Sequence, residues 1–139
     1  AICTEDAGFA MSETAIGIVP AQIAPFVAAR IGVPQTRHLA LTAARFRGPE
    51  ALRLGIAPHL VKDSAALDAK LEEILKQIDR CAPLANALTK AVVMKVGSEP
   101  LSSVLDFAAD RFAEARRSPE AAEGPRAFAE KRQPKWVTE

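Results

Sequence analysis

The chain has 139 residues, 49% of them hydrophobic, with a formal net charge of +1 and a mean hydropathy of +0.05; these values suit a globular chain with its own core and exclude an intrinsically disordered one. Its 18 basic and 17 acidic residues lack the cationic excess that phosphate-backbone binding requires, so no nucleic acid partner is expected, and Cys3, Cys81, His38 and His59 are too few and too scattered for a disulfide scaffold or a metal site. No apolar run approaches the ~18 residues of a membrane span and no basic then apolar leader opens the chain, so a soluble, cytoplasmic protein away from membranes is expected.

Ala1-Ile2-Cys3-Thr4 has the β-propensity of a strand already under way, which suggests an upstream half missing from this sequence. Residues 2–4 and 8–11 read as short strands around the polar turn Glu5-Asp6-Ala7, and 57–61 as a third. Pro20 suits the first turn of a helix carrying Ile23, Phe26, Val27 and Ile31, which Gly32 ends. Pro25 falls inside that span and is expected to kink it. Pro34 opens a second helix to about Arg45, and Gly48-Pro49 opens a short third one ended by Gly55.

The strongest periodicity covers 64–80, where Leu67, Leu71, Ile74, Leu75 and Ile78 repeat at helical steps while Glu72, Glu73, Lys76 and Asp79 face away. Pro83 starts the next helix, with the stripe Leu84, Leu88, Val92 and Val96 before Gly97. Pro100 starts another, with Leu101, Val104, Leu105, Ala108 and Phe112 inward. Ser118-Pro119 and Gly124-Pro125 are expected to divide the tail into two short helical pieces. The fold class is therefore α/β with helices predominating.

Among the carboxylates, most lie on solvent faces or near helix starts, where water and the helix dipole hold them. Glu13 differs, because it follows the apolar strand at 8–11 and precedes Ala15-Ile16-Gly17-Ile18-Val19. A carboxylate among apolar neighbours is costly to ionise, which suits proton transfer at neutral pH; the alternative is an ion pair with an arginine. If the strand continued, alternation would put Phe9, Met11 and Glu13 on one face. His38 reads as a surface or satisfied core imidazole, and Cys81 as a small buried hydrophobe at a helix end. Arg30, Arg37, Arg45, Arg47 and Arg53 read as a solvated basic face, the alternative being a patch that attracts an anionic ligand group.

The stretch 2–13 followed by Gly17-Ile18-Val19-Pro20 resembles the crotonase (enoyl-CoA hydratase/isomerase) pattern of a strand, E-D-A-x-F, a P-E or S-E pair and G-x-x-P. Leu41-Thr42-Ala43-Ala44-Arg45-Phe46 is similar to that family's L-T-G-x-x-[FI], and Glu50-Ala51-Leu52-Arg53-Leu54-Gly55 to its E-A-x-x-x-G. Glu123-Gly124, Ala127-Phe128 and Glu130-Lys131-Arg132-Gln133-Pro134 resemble its E-G-x-x-A-F-x-E-K-R-x-P ending.

The resemblance implies the C-terminal half of a crotonase-like ββα spiral, with 1–62 as the C-terminal part of the core and 63–139 as a helical oligomerisation region. It implies an enoyl-CoA hydratase in which Glu13 gives a proton to the α-carbon, while a partner glutamate and an oxyanion hole lie in the missing N-terminal half. It further implies no separate cofactor, since CoA is part of the substrate, and a homo-oligomer built as a trimer or hexamer. Helices over 83–116 would pack against neighbouring subunits. By the same resemblance Lys131 reaches the 3′-phosphate of CoA and Phe112 packs near the adenine. Where the family often has P-G-A-G-G-T, this chain has Pro20-Ala21-Gln22-Ile23-Ala24-Pro25-Phe26, so Ile23 and Phe26 bring apolar bulk to the acyl pocket. That departure is similar to relatives acting on branched, carboxylated substrates of the 3-methylglutaconyl-CoA and isohexenylglutaconyl-CoA kind. An isomerase or other lyase of the family, and a non-catalytic helical assembly module, remain alternatives.

Overall fold

A computed structural model describes residues 1–137. The chain divides within one helix into two compact units, Ala1–Glu73 and Ile74–Glu139. Helices dominate both, and among the described residues none is long and apolar enough to cross a membrane.

The first unit is organised by two small sheets. Strand β1 (Ile2–Thr4) pairs in parallel with β4 (His59–Val61), Cys3 opposite Leu60, and β2 (Gly8–Ala10) pairs antiparallel with β3 (Arg45–Arg47), Phe9 opposite Phe46. A parallel pair needs a long crossover, and here that crossover holds β2, α1 (Ala24–Ile31), α2 (Val33–Thr42), β3 and α3 (Gly48–Arg53). Cys3, Ala51 and Ala57 form one buried cluster, and Met11, Leu39 and Leu54 another; Phe46 and Ile56 pack against both. The Phe9 and Phe46 rings stack with centroids 5.5 Å apart. Gly48 starts α3 against β1 so closely that an added Cβ would lie 2.1 Å from the Thr4 carbonyl oxygen. Only hydrogen fits there.

Several sequence expectations need correction. β3 lies where a helix was expected to extend to Arg45; α2 stops at Thr42 because Ala43 takes a left-handed conformation, φ 48°, letting the Ala44 N–H bond the Leu39 carbonyl. Ala43 occupies the glycine position of the L-T-G-like motif and accepts the Cβ strain that glycine would avoid. Pro25 makes no kink, because α1 begins only at Ala24 and the proline sits in its first turn, where no N–H is needed. Strand β2 ends at Ala10 with its partner, so Glu13 opens a short 3-10 helix, Glu13–Ile16, instead of extending a strand face.

Helix α4 (Ser64–Asp79) carries the division between units. In the second unit α5 (Pro83–Lys95) and α6 (Leu101–Arg116) pack on each other, and α7 (Pro119–Ala129) packs on α6. The tail is one helix, not two pieces. Pro125 is tolerated within α7 because the residue before it, Gly124, has no Cβ to meet the proline ring. Cys81 is exposed rather than buried: it lies in the turn after α4, its thiol donating to the Gln77 carbonyl at 3.5 Å.

Side chains tie the second unit together. Both Glu120 oxygens accept from the first free amides of α5, Leu84 N at 2.9 Å and Ala85 N at 3.1 Å, as a helix N-terminus favours. Glu123, 9% exposed, receives Arg132 in a two-pronged ion pair, 2.6 and 3.2 Å, and the Lys135 N–H at 3.0 Å. Chiefly through the Arg132 hydrogen bonds, and against partial burial, the Glu123 carboxyl titrates at about 2 instead of 4.5.

Candidate functional site

The cavity of interest belongs to the first unit. It encloses about 350 Å³ and is lined by Phe9, Met11, Glu13, Leu39, Phe46 and Ile56 together with one face of α1 and the residue before it. Ile23, Phe26, Val27 and Arg30 supply that face at helical spacing. Phe26 is 74% exposed, so the cavity opens to solvent beside it.

Among the described residues Glu13 is the one carboxylate on this wall, and backbone and side-chain bonds fix its turn. The Met11 N–H donates to the Ala44 carbonyl at 3.3 Å, continuing the β2–β3 ladder. The Thr14 hydroxyl, next to Glu13, donates to the Ala40 carbonyl at 2.7 Å and so binds the turn to α2. Gly17 closes the turn with φ 78°, the left-handed geometry that favours glycine, and Ile18 N–H bonds the Glu13 carbonyl at 3.1 Å. Glu13 is half-buried, and its Oε2 is shut from solvent with no hydrogen-bond partner among the described residues. No ion pair joins Glu13 to an arginine among the described residues. A buried carboxylate oxygen without a partner costs free energy, and such groups concentrate where function requires them.

The five residues singled out from the sequence fall into two sets. Glu13, Ile23 and Phe26 meet at this one cavity. Phe112 and Lys131 lie in the second unit: Phe112 lines a groove between α5 and α6 with Leu88, Val92 and Ala108, while Lys131 follows α7. Lys131 has φ 53°, and the amides of Lys131 and Arg132 bond the Phe128 and Ala127 carbonyls at 3.2 and 3.0 Å. This is the Schellman arrangement that glycine usually completes. The neighbouring Arg132 holds it shut through Glu123 and Glu130.

Arg30 was missed as a cavity residue and assigned to a solvated basic face. Its signal was available, since it lies seven residues after Ile23 and four after Phe26 on the same helical face. Among the described residues no group of three or more His, Cys, Asp or Glu side chains is placed to hold a metal ion.

A sequence model described as enoyl-CoA hydratase/isomerase matches residues 1–139. The chain belongs to the enoyl-CoA hydratase/isomerase family. Carnitinyl-CoA dehydratase from Citrobacter koseri is 31% identical over 140 residues, covering 97% of this chain and 53% of that protein. Among solved structures, Pseudomonas aeruginosa AtuE superposes with a TM-score of 0.91 at 54% identity, covering 99% of this chain and 54% of the other. An enoyl-CoA hydratase/isomerase from Marinobacter aquaeolei gives 0.89 at 46% identity, covering 99% and 52%. The chain thus spans about half the length of these relatives. The crotonase resemblance carried by the motifs is the family's own pattern, and the fold is the crotonase fold over this span.

Proposed function

We propose that this chain supplies the proton-donating half of an enoyl-CoA hydratase site. The observation that carries the reading is the Glu13 carboxyl on the wall of an apolar cavity, one oxygen buried without a partner. In the proposed reaction a second carboxylate, outside these 139 residues, takes a proton from water, and the hydroxide oxygen bonds the β-carbon of the α,β-enoyl thioester. The π electrons move onto the thioester oxygen as an enolate, and Glu13 returns a proton to the α-carbon. Water is thus added across the double bond, with the two carboxyl groups exchanging acid and base roles.

Glu13 is the sole carboxylate lining the cavity among the described residues, so in this reading the base comes from elsewhere in the complete enzyme. Ile23 and Phe26 shape the acyl end and favour a branched chain. Lys131, held at the mouth of its left-handed turn, binds the CoA 3′-phosphate, and Phe112 packs near the adenine. The exposed apolar residues Val93, Met94, Leu105 and Phe112 support a trimer or hexamer in which α5 and α6 meet neighbouring subunits. The match to a dehydratase favours addition or removal of water over double-bond migration, because a dehydratase runs the same step backwards.

The test is an assay of the complete enzyme with an α,β-enoyl-CoA and its β,γ isomer, following products by mass spectrometry. A gain of one water on the α,β substrate is expected. Migration of the double bond with no water gained would contradict the hydratase reading.

A further inference from the structure

Glu13 is held from both sides by one stretch of chain, the end of α2 and the turn after it. On the near side the Met11 N–H donates to the Ala44 carbonyl at 3.3 Å, and Met11 lies in one buried cluster with Leu39 of α2. On the far side the Thr14 hydroxyl donates to the Ala40 carbonyl at 2.7 Å. That carbonyl is open to Thr14 for a specific reason. In a continuing helix it would accept from the amide four residues on, which is that of Ala44. The left-handed Ala43, φ 48°, turns the Ala44 N–H onto the Leu39 carbonyl instead, at 3.0 Å. Ala40 therefore carries one of the helix-end carbonyls that must be satisfied from outside the helix, and a hydroxyl 26 residues away in the chain meets it. Threonine has few χ1 states, so a bond from its Oγ1 restrains the backbone of Thr14 and with it the residue immediately before, Glu13.

We propose that Thr14 is a positioning residue: its hydroxyl, bound to the Ala40 carbonyl, sets where the Glu13 carboxyl sits on the cavity wall and so the rate at which Glu13 passes its proton. This rests on the reading of Glu13 as the proton donor. Thr14 itself is exposed and is not among the residues lining the 350 Å³ cavity that Glu13 faces, so it acts through Glu13 and not on the substrate. One exposed hydrogen bond adds little to global stability, whereas a small displacement of a proton donor is felt strongly in the rate.

The experiment measures kcat for hydration of an α,β-enoyl-CoA, and the dissociation constant of an unreactive acyl-CoA, on the complete enzyme as wild type, Thr14→Val, Thr14→Ser, Glu13→Gln and the double variant Glu13→Gln/Thr14→Val. Valine keeps the branched shape without the donor. Thr14→Val should lower kcat roughly 10- to 100-fold, the scale of a displaced catalytic group, with the dissociation constant and Tm near wild type. Thr14→Ser keeps the hydroxyl and should restore most of kcat. In the double variant Thr14→Val should add nothing to the loss from Glu13→Gln, because it acts through that carboxyl. Wild-type kcat in a folded Thr14→Val protein would show that the bond only staples the turn to α2. A fall that serine does not repair would trace the effect to packing, and additive losses would give Thr14 a role apart from Glu13. Each of these overturns the proposal. Should Thr14→Val fail to fold, Thr14→Ala is compared with Thr14→Ser and the same outcomes decide. Near-normal kcat in Glu13→Gln would overturn the reading of Glu13 itself, a result distinct from any change at Thr14.

Discussion

The two units are held together by different means. In Ala1–Glu73 backbone pairing does the work: two strand pairs fix the register, and small residues such as Ala51, fully buried, let the elements approach closely. In Ile74–Glu139 the helices are joined by side chains on backbone ends, Glu120 on the start of α5 and Glu123 on Arg132 and Lys135, while Val104, Glu123 and Ala127 are its buried residues among those described. Large apolar side chains stay exposed on both units, Val19 at 77% and Phe26 at 74% on the first, Phe128 at 87% and Met94 at 70% on the second. A unit fixed by strand register can hold a carboxyl group to within the tolerance of proton transfer. A unit of clasped helices suits binding remote from the chemistry. In the proposed function, chemistry belongs to the first unit and ligand anchoring and assembly to the second.

The most damaging change should be Gly48→Ala. Its Cβ would meet the Thr4 carbonyl at 2.1 Å and Leu60 Cδ1 at 2.8 Å, so α3 must move away from the β1–β4 pair. Overpacking of this kind costs about 1–3 kcal/mol and more where backbone is struck. Chemical denaturation should show a large loss, and wild-type stability in this variant would mean that the first unit is not built on that close approach.

Lys131→Ala should affect binding alone. A phosphate contact distant from the reacting carbons stabilises ground and transition states nearly equally, so KM should rise by about 10-fold with kcat little changed. The effect should shrink at high salt and vanish with substrates lacking the 3′-phosphate. A fall in kcat with KM unchanged would place chemistry in the second unit and break the division.

A smaller effect concerns the clasp at the end of α7. Glu123 titrates at about 2 when folded against 4.5 ordinarily, so its contribution to stability is complete above 4.5 and is lost as pH falls from there toward 2. Wild type should therefore exceed Glu123→Gln in Tm at neutral pH, with the difference narrowing over that acid range. A constant difference would show that the pair contributes through packing rather than charge.

These contrasts were unequally legible in the sequence. Helix starts marked by Pro83 and Pro119, the strand at Ile2–Thr4 and Glu13 as a carboxylate among apolar neighbours could be read from local pattern, because each is set by neighbours in the chain. β3 could not: Arg45–Arg47 has one apolar residue, and it is a strand because β2 pairs with it across a long separation. The left-handed Ala43 and Lys131 escaped notice because neither is glycine. Pro25 and Pro125 misled in opposite ways, since a proline's effect depends on where the helix begins and on the residue before it. Arg30 lay on the right helical face, but an arginine on a surface helix reads as solvated until the Ile56 carbonyl is seen to anchor it.

The central claim is that Glu13 moves the proton, and the measurement that tests it most directly is kcat for hydration by Glu13→Gln in the complete enzyme, taken beside the dissociation constant of an unreactive acyl-CoA. Glutamine keeps the size and polarity of the side chain but has no titratable proton. The account predicts a fall in kcat of about 10²- to 10⁴-fold, the scale of general acid–base catalysis, with ligand affinity and Tm close to wild type. Near-normal kcat in a protein that still binds the acyl-CoA would contradict it.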